Sequence, residues 1–168
     1  PSSGPRVELV SEPIPEILAD RDQLVQVLTN LVQNGLEAAS AVRRDPRVVV
    51  TLGPAGADKV RVVVRDNGPG VSKEMLPRLF EPYATSKEKG TGLGLAIVQR
   101  IVFEHGGEIS YREATKGGAV FELLREGPPA HREMLRPAGH PHRLAGDVMV
   151  HQRDPAIARG WRHGSGTH

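Results

Sequence analysis

Two glycine clusters, one beginning with an acid and the other leading into an apolar segment, most constrain how this 168-residue chain can fold. The first is Asp66-Asn67-Gly68-Pro69-Gly70, and the second is Gly90-Thr91-Gly92-Leu93-Gly94-Leu95. Glycine lets the backbone approach a ligand closely, and the N–H groups at a helix N-terminus bind phosphate. An acid at a strand end can instead accept a hydrogen bond from an exocyclic amine. The two clusters together predict a purine nucleotide held at both of its ends.

Two other glycine-rich nucleotide-binding motifs do not fit these glycines. A dinucleotide-binding fingerprint needs a third glycine three residues after the second, but Ile97 follows Gly94 and Leu95 follows Gly92 at that distance. A Walker A loop needs Gly-x-x-x-x-Gly-Lys-Ser/Thr, which the sequence lacks. Taken alone, the first cluster is equally compatible with an ordinary turn.

The charge of the chain is unevenly distributed. Residues 127–168 hold six Arg, no Lys and three acids, so the net charge of +2 divides into +3 there and −1 over residues 1–126. The body of the protein therefore lacks the charge of a nucleic-acid-binding surface. The absence of cysteine excludes Cys-based metal sites and suits the cytoplasm. No apolar run approaches the roughly 20 residues of a bilayer span, so we expect a cytoplasmic segment without membrane contact, even if a full-length protein is membrane-anchored.

Hydrophobic periodicity predicts the order β-α-β-β-(α)-loop-α-β-β. Asp20 is a good N-cap, and apolar residues at helical spacing follow it from Leu24 to Ala39. The other predicted elements are strands at 6–10, 47–52, 59–65, 108–112 and 119–124, a short helix at 73–79, a loop at 83–91 and a helix at 93–105. Because each long helix has one apolar face, we expect an α/β (α+β) fold, a two-layer sandwich of one mixed sheet with helices packed on one face.

Three segments are predicted along the chain. Residues 1–5 form a linker, residues 6–126 one domain, and residues 127–168 a Pro-, Gly-, His- and Arg-rich tail without periodicity, which we expect to be disordered. The tail holds six of the seven histidines. Their spacing fits no standard metal site, so we expect no metal there.

The first predicted helix carries polar residues beside its apolar stripe. Asn30, Asn34 and Glu37 are spaced four and three residues apart, which places them on one helix face. A solvated helix edge explains such a row, but asparagine is a mediocre helix former. The alternative is that the carboxamides face a ligand, because an amide oxygen suits Mg²⁺ shared with phosphates and water.

Four segments in order resemble the motifs of sensor histidine kinases over about residues 6–126. Asn30-Leu31-Val32-Gln33-Asn34 is similar to the N box, Asp66-Asn67-Gly68-Pro69-Gly70 to the first glycine box, Leu79-Phe80-Glu81-Pro82-Tyr83 to the F box, and Gly90-Thr91-Gly92-Leu93-Gly94-Leu95 to the second glycine box. The Phe-Glu-Pro-Tyr-Ala-Thr-Ser-Lys sequence resembles the nitrogen-regulation kinases of the NtrB and NtrY type. The resemblance implies the Bergerat ATP-binding fold, shared with gyrase, MutL and the heat-shock ATPase chaperones.

The resemblance also implies functions for individual residues. Asn34 would bind Mg²⁺, Asp66 the adenine amine, and the segment between Phe80 and Gly90 would form the ATP lid. Within that segment, Lys87 is a candidate for contact with the γ-phosphate, and the alternative is an ordinary surface lysine. Expected catalytic residues are Asn30, Asn34 and Lys87. The residues expected to bind ATP are Asn34, Glu37, Asp66, Gly68, Gly70, Phe80, Tyr83, Thr85, Ser86, Lys87, Gly90, Thr91, Gly92, Leu93, Gly94 and Leu95. The implied partners are a histidine-bearing dimerisation module, in cis or in trans, and the receiver domain of a response regulator.

The chain departs from the family pattern at several positions. No His lies in the roughly 20 residues before the N-box helix, and His105 is a poor phosphoacceptor candidate. Gly35 stands where Ala is more usual and is expected to loosen the helix. Ala119 follows Gly117-Gly118 where many relatives have Thr, so a hydroxyl near adenine is absent.

Two other functions are compatible with these motifs. One is an ATPase clamp of the gyrase/MutL kind, but those relatives carry Glu where this chain has Asn30, and an amide cannot accept a proton at neutral pH. The other is a nucleotide-binding module without chemistry of its own.

Overall fold

The computed structural model describes residues 4–85 and 90–126, together with the backbone of 142–144 and 148–150. Its main sheet has five strands in the order β1-β2-β3-β5-β4. The strands are β1 (Arg6–Ser11), β2 (Arg47–Pro54), β3 (Lys59–Asp66), β4 (Gly107–Glu113) and β5 (Ala119–Glu126). Strand β1 is parallel to β2, and every other pair in this sheet is antiparallel. The predicted mixed sheet is confirmed.

Helix α1 (Arg21–Ser40) begins where the sequence predicts it. The Asp20 side chain accepts hydrogen bonds from the backbone N–H groups of Asp22 and Gln23, so two of the otherwise unpaired donors of the first turn are satisfied. The helix packs on β2 and β3. Its buried residues recur every four positions, which is the expected pattern for one face on a sheet. They are Val27, Leu31, Gly35 and Ala39.

Helix α2 (Gly94–Glu104) packs on β4 and against α1. It starts one residue later and ends one residue earlier than the predicted 93–105 helix. The predicted short helix at 73–79 is wrong, because only the 3-10 turn Leu76–Arg78 forms there. Pro77 suits the first turn of that short segment. It would be the fifth residue of a helix from 73 to 79, where proline has no N–H to donate and its ring clashes with the carbonyl four residues earlier.

The core lies between the two helices and the sheet. Strand residues that face the helices alternate with residues on the opposite face, which is the period of a half-buried sheet. The main buried cluster contains Val27, Leu31, Val48, Val50, Val64, Leu79, Val98, Ile101, Val102, Ala119 and Phe121. The two-layer sandwich with helices on one face is therefore confirmed.

His105 joins the end of α2 to the start of α1. Its Nδ1 donates to the carbonyl of Ile101 over 2.8 Å, and its Nε2 accepts the backbone N–H of Asp20 over 3.0 Å. The Nε of Arg125 donates to the carbonyl of His105 over 2.7 Å. The Nε2 bond therefore joins the end of α2 to the cap of α1. Both ring nitrogens have a partner, which agrees with the expectation that His105 is a poor phosphoacceptor.

Most of the predicted tail, residues 127–168, lies outside the described residues, and its disorder stays a prediction. Within it the structure describes an antiparallel pair of short strands, β6 (His142–Leu144) and β7 (Val148–Val150). In the part of the chain that is described, no helix has both the length and the apolar character needed to cross a membrane.

Candidate functional site: a nucleotide pocket at the end of strand β3

Asp66 is the last residue of β3 and is only 6% exposed, the one charged residue buried among those that the structure describes. Its Oδ1 accepts backbone hydrogen bonds from Gly68 at 2.8 Å and from Ala119 at 3.1 Å. Burial nevertheless raises the pKa of the Asp66 carboxyl, and the two hydrogen bonds oppose that rise only in part. The structure therefore keeps a desolvated carboxylate in one fixed orientation.

The turn after Asp66 depends on close backbone contacts. A Cβ on Gly68 would lie 3.0 Å from the backbone nitrogen of Ala39 in α1. Gly70 has a φ of +80°, which favours glycine. Across the turn, a Cβ on Gly118 would lie 2.1 Å from the carbonyl oxygen of Asp66, so no other residue fits at Gly118 without movement of the backbone.

Asn67 fastens the same turn to the segment between α1 and β2. Its Oδ1 accepts the backbone N–H of Arg47 at 2.9 Å, and its Nδ2 donates to the carbonyl of Asp45 at 3.0 Å. The Nε of Arg43 donates to the Asn67 carbonyl at 2.9 Å. The first glycine box is thus a fixed structure and not a simple exposed turn.

The structure brings the two carboxamides of α1 to the start of α2. A Cβ on Gly94 would lie 3.6 Å from Nδ2 of Asn34 and 3.9 Å from Cγ of Asn30. Helix α2 has no side-chain cap at its N-terminus, because Leu93 occupies the N-cap position. Glu37 lies one turn after Asn34 and is exposed. The N box and the second glycine box therefore face each other, as their predicted common function requires.

The two described ends of the predicted lid meet. The backbone N–H of Tyr83 donates to the carbonyl of Gly92 over 2.9 Å. Tyr83 has a φ of 64°, and its side chain is 75% exposed. Gly92 has a φ of +66°, and a Cβ there would lie 2.5 Å from the carbonyl carbon of Tyr83. Thr85, Gly90 and Thr91 lie within the described residues, whereas Ser86 and Lys87 lie outside them.

Several predicted ligand residues belong to the core or to other surfaces. Phe80 packs edge-on against Phe121, with ring centroids 6.4 Å apart. Leu95 packs partly buried against the main core. A groove of about 750 Å³ runs between α2 and β4, and Phe80 and Leu93 line it together with Phe103, which is 78% exposed. Asp66 and Asn34 do not line this groove, so it is separate from the candidate nucleotide pocket.

Comparison with known families identifies the domain. Residues 19–126 match the family model described as histidine kinase-, DNA gyrase B- and HSP90-like ATPase. The chain belongs to this family.

Sequence relatives and solved structures agree with that assignment. The chain is 43% identical over 135 residues to nitrogen regulation protein NtrY of Azorhizobium caulinodans, covering 75% of this chain and 17% of the relative. It is 41% identical over 113 residues to sensor histidine kinase ZraS of Salmonella typhi, covering 67% of this chain and 24% of the relative. The catalytic domain of histidine kinase ThkA is similar at a TM-score of 0.60 and 34% identity, covering 72% of this chain and 79% of that one.

A second structural relative was solved with a nucleotide analogue. Full-length ShkA in complex with AMPPNP matches at a TM-score of 0.64 and 30% identity, over 75% of this chain and 27% of that one. The chain thus spans about a quarter or less of the curated relatives named above. In fold and sequence, residues 19–126 correspond to the ATP-binding catalytic domain of sensor histidine kinases.

The departures from the family motifs cluster around Asp66. Gly35 was expected to loosen α1, but the structure gives it a packing function: a Cβ there would lie 2.9 Å from Cγ2 of Val48 and 3.1 Å from Cβ of Asp66. Ala119 is buried and bonds Asp66 through its backbone N–H alone. Two small residues, Gly35 and Ala119, therefore lie next to the acid in this chain.

Tyr111 belongs to this region, although no pattern in the sequence indicates it. Its hydroxyl accepts the backbone N–H of Val71, immediately after the first glycine box, at 3.0 Å. In the sequence, Tyr111 shows only the alternation of a sheet residue that faces the core. The contact joins residues 40 positions apart, so no local pattern indicates it.

Proposed function

We propose that this chain is the catalytic part of a protein-histidine kinase that transfers the γ-phosphoryl group of ATP to a histidine on a dimerisation module. In this reaction the bond from phosphorus to the β,γ-bridging oxygen breaks as the bond to an imidazole nitrogen forms, and ADP leaves. A receiver domain of a response regulator then takes the phosphoryl group on an aspartate. The observation that carries the proposal is the buried, fixed Asp66, which lies against Gly35 of α1, while the preceding residue, Asn34, faces Gly94 at the uncapped start of α2.

The Asp66 side of the pocket suits adenine. Oδ1 is occupied by the backbone N–H groups of Gly68 and Ala119, which leaves Oδ2 to accept a hydrogen bond from the exocyclic amine. A guanine presents a carbonyl oxygen at the corresponding position, and this oxygen repels a carboxylate. The proposed specificity for ATP over GTP follows from this geometry.

The α2 side suits phosphates and a magnesium ion. The uncapped backbone N–H groups at the start of α2 provide donors for phosphate oxygens. Among the described residues, no group of three or more His, Asp or Glu side chains could hold a metal ion. Asn34 would hold Mg²⁺ through its amide oxygen, and the bound ion would neutralise phosphate charge. Thr85, Ser86 and Lys87 are proposed lid contacts to the phosphates.

Asn30 favours the kinase over an ATPase clamp. Asn30 lies on α1 one turn before Asn34, and both side chains face the start of α2. Hydrolytic members of the family are expected to carry, at the position of Asn30, a glutamate that activates water. A carboxamide cannot act as a general base at neutral pH. The pocket is therefore suited to positioning ATP for an external acceptor, as in phosphoryl transfer generally.

We assign the kinase to the nitrogen-regulation (NtrB/NtrY) type as a finer proposal. The sequence around the F box and the similarity to NtrY support it. Comparable similarity to ZraS supports the broader assignment equally well.

The test supplies the phosphoacceptor histidine on a separate dimerisation module. Chain, Mg²⁺ and γ-labelled ATP are incubated with a purified dimerisation module from an NtrY-type kinase, and label is expected on the module with the acid lability of a phosphohistidine. Asn34→Ala should abolish labelling while adenosine binding stays nearly intact. Rapid phosphate release by the chain alone, without labelling of the module, would contradict the kinase and favour the ATPase clamp.

A substitution at Asn30 distinguishes the kinase from the ATPase clamp more directly. Asn30→Glu places a carboxylate one helical turn before Asn34, and general-base catalysis contributes typically about 10²–10⁴-fold. We expect increased phosphate release to water in this variant. An unchanged rate would mean that residue 30 does not reach the attacking water.

A further inference from the structure

The hydroxyl of Tyr111 bonds the turn that contains the first glycine box from the far edge of the sheet. Tyr111 lies on β4, directly across from Phe121 of β5, and its ring packs against Phe121 with centroids 5.5 Å apart. Its partly buried hydroxyl accepts the backbone N–H of Val71 over 3.0 Å. A side chain from the edge strand therefore contacts the backbone that follows Gly70.

The position of this bond within the turn is important. Asp66 fixes the beginning of the turn by accepting the N–H of Gly68, and Tyr111 fixes its end by accepting the N–H of Val71. Between them, Gly70 has a φ of +80°, and a Cβ there would lie 3.4 Å from the Gly118 carbonyl and 3.5 Å from the Tyr111 hydroxyl. The two side chains bracket the residues whose conformation shapes the base pocket.

The ring of Tyr111 is itself held in place. Phe121 contacts Tyr111 on one side and Phe80 of the F box on the other. An aromatic row thus connects the first glycine box with the segment that leads into the lid. The row orients the Tyr111 hydroxyl toward Val71.

We propose that Tyr111 is a positioning residue that holds the first glycine turn in the shape that binds the base of ATP. The proposal rests on the proposed function, because it requires that this turn contact the nucleotide. Tyr111 acts through the Val71 N–H and touches no reacting atom. Removing the hydroxyl should weaken nucleotide binding without slowing phosphoryl transfer from bound ATP.

The experiment uses the full chain and the variant Tyr111→Phe, which keeps the ring and removes only the hydroxyl. The matched control is Ser110→Ala, which removes a hydroxyl from the neighbouring, exposed residue of the same strand. We expect the Kd for ADP, measured by calorimetry, to rise about 3- to 10-fold in Tyr111→Phe, the range of one hydrogen bond. Ser110→Ala should bind ADP like the wild type.

Two further measurements separate positioning from stability. With a dimerisation module as acceptor, Tyr111→Phe should raise the KM for ATP and leave kcat unchanged, since the bound state is restored at saturating ATP. Amide exchange should accelerate at Val71 while β4 and β5 stay protected.

The possible failures are distinguishable. If the wild-type chain does not bind ADP, the proposed function is wrong. If the wild type binds ADP and Tyr111→Phe binds it equally well, the assignment of Tyr111 is wrong. If Tyr111→Phe loses kcat as well as affinity and exchanges faster throughout β4 and β5, the hydroxyl stabilises the fold in general and the positioning assignment is again overturned.

Discussion

The two ends of the candidate pocket are built in different ways. The turn around Asp66 is bonded to three separate parts of the chain: to β5 through Ala119, to the start of β2 through Arg47, and to β4 through Tyr111. At the other end, in the part of the loop that the structure describes, a backbone hydrogen bond joins Tyr83 to Gly92. Nearby, the N–H of Leu93 reaches the Thr91 hydroxyl only at 3.4 Å, which is a weak contact.

This difference indicates a division of function. The proposed base end has its backbone fixed by contacts with the core. The described part of the phosphate end depends on backbone that lies at the surface, where Tyr83 is exposed. Base recognition should therefore be sensitive to changes in packing, and phosphate binding to changes in the loop.

The largest expected effect is at the rigid end. Gly118→Ala should lower the free energy of unfolding by about 3 kcal/mol or more, the sum of a strained φ and of overpacking against the Asp66 carbonyl. The control is Gly56→Ala, since Gly56 also has positive φ, +116°, but its Cβ would meet nothing within 4 Å. Urea unfolding measures both variants.

Gly56→Ala should cost only the conformational part, about 1 kcal/mol. Equal costs for the two variants would show that close packing around Asp66 contributes nothing to the rigidity of the base end.

The next largest effect is on base recognition. Asp66→Asn retains an oxygen for the N–H groups of Gly68 and Ala119 but puts an NH₂ in place of Oδ2. Affinity for ATP should fall by roughly 1.5–3 kcal/mol, the value of a charge-assisted hydrogen bond, and discrimination against GTP should weaken. Calorimetry with both nucleotides checks this, and unchanged affinity and selectivity would remove Asp66 from the site.

A matched glycine tests the opposite end. A Cβ on Gly92 also overlaps backbone, at 2.5 Å from Tyr83, but this contact lies on an exposed loop that can move. Gly92→Ala should therefore cost only about 1 kcal/mol of unfolding free energy, while ATP binding weakens more than adenosine binding. If Gly92→Ala destabilised the fold as much as Gly118→Ala, the two ends would be equally rigid.

The smallest effect is the dependence of stability on pH. Because burial raises the pKa of Asp66 above its ordinary value of 3.8, the folded protein binds this proton at a higher pH than the unfolded chain does. The free energy of unfolding of the wild type should consequently rise relative to Asp66→Asn as pH falls from the raised pKa toward 3.8. Denaturant unfolding of both proteins over this range provides the measurement. A difference that is constant with pH would mean that the carboxyl is not desolvated.

Local signals in the sequence were sufficient for the main elements. The Asp20 cap and the helical spacing of apolar residues from Leu24 to Ala39 predict α1, and alternating valines predict β2 and β3. These features act within a few residues, so the sequence displays them directly. The glycine boxes predict the candidate nucleotide site for the same reason, since each is a continuous segment.

Contacts between distant segments were not predictable in this way. The low helix propensity of glycine makes Gly35 indicate a weaker helix. Its close approach to Val48 and Asp66 depends on how α1 crosses the sheet, which no local pattern shows. The bond from Tyr111 to Val71 requires the register of β4 with β5. The 3-10 turn at Leu76–Arg78 formed in place of the predicted 73–79 helix because Pro77 would interrupt the hydrogen bonds of that helix.

The pairing of β3 with β5 has a consequence for the kinetics of folding. Strands β2 and β3 form one local hairpin and β4 and β5 another, whereas the β3–β5 pairing closes a long loop and is the slower type of event. The Ala119 N–H donates to Asp66 at this β3–β5 pairing, so the proposed base site is complete only after the two hairpins have docked. A nucleotide can bind there only after the hairpins have docked. Bound nucleotide should therefore slow unfolding more than it accelerates folding.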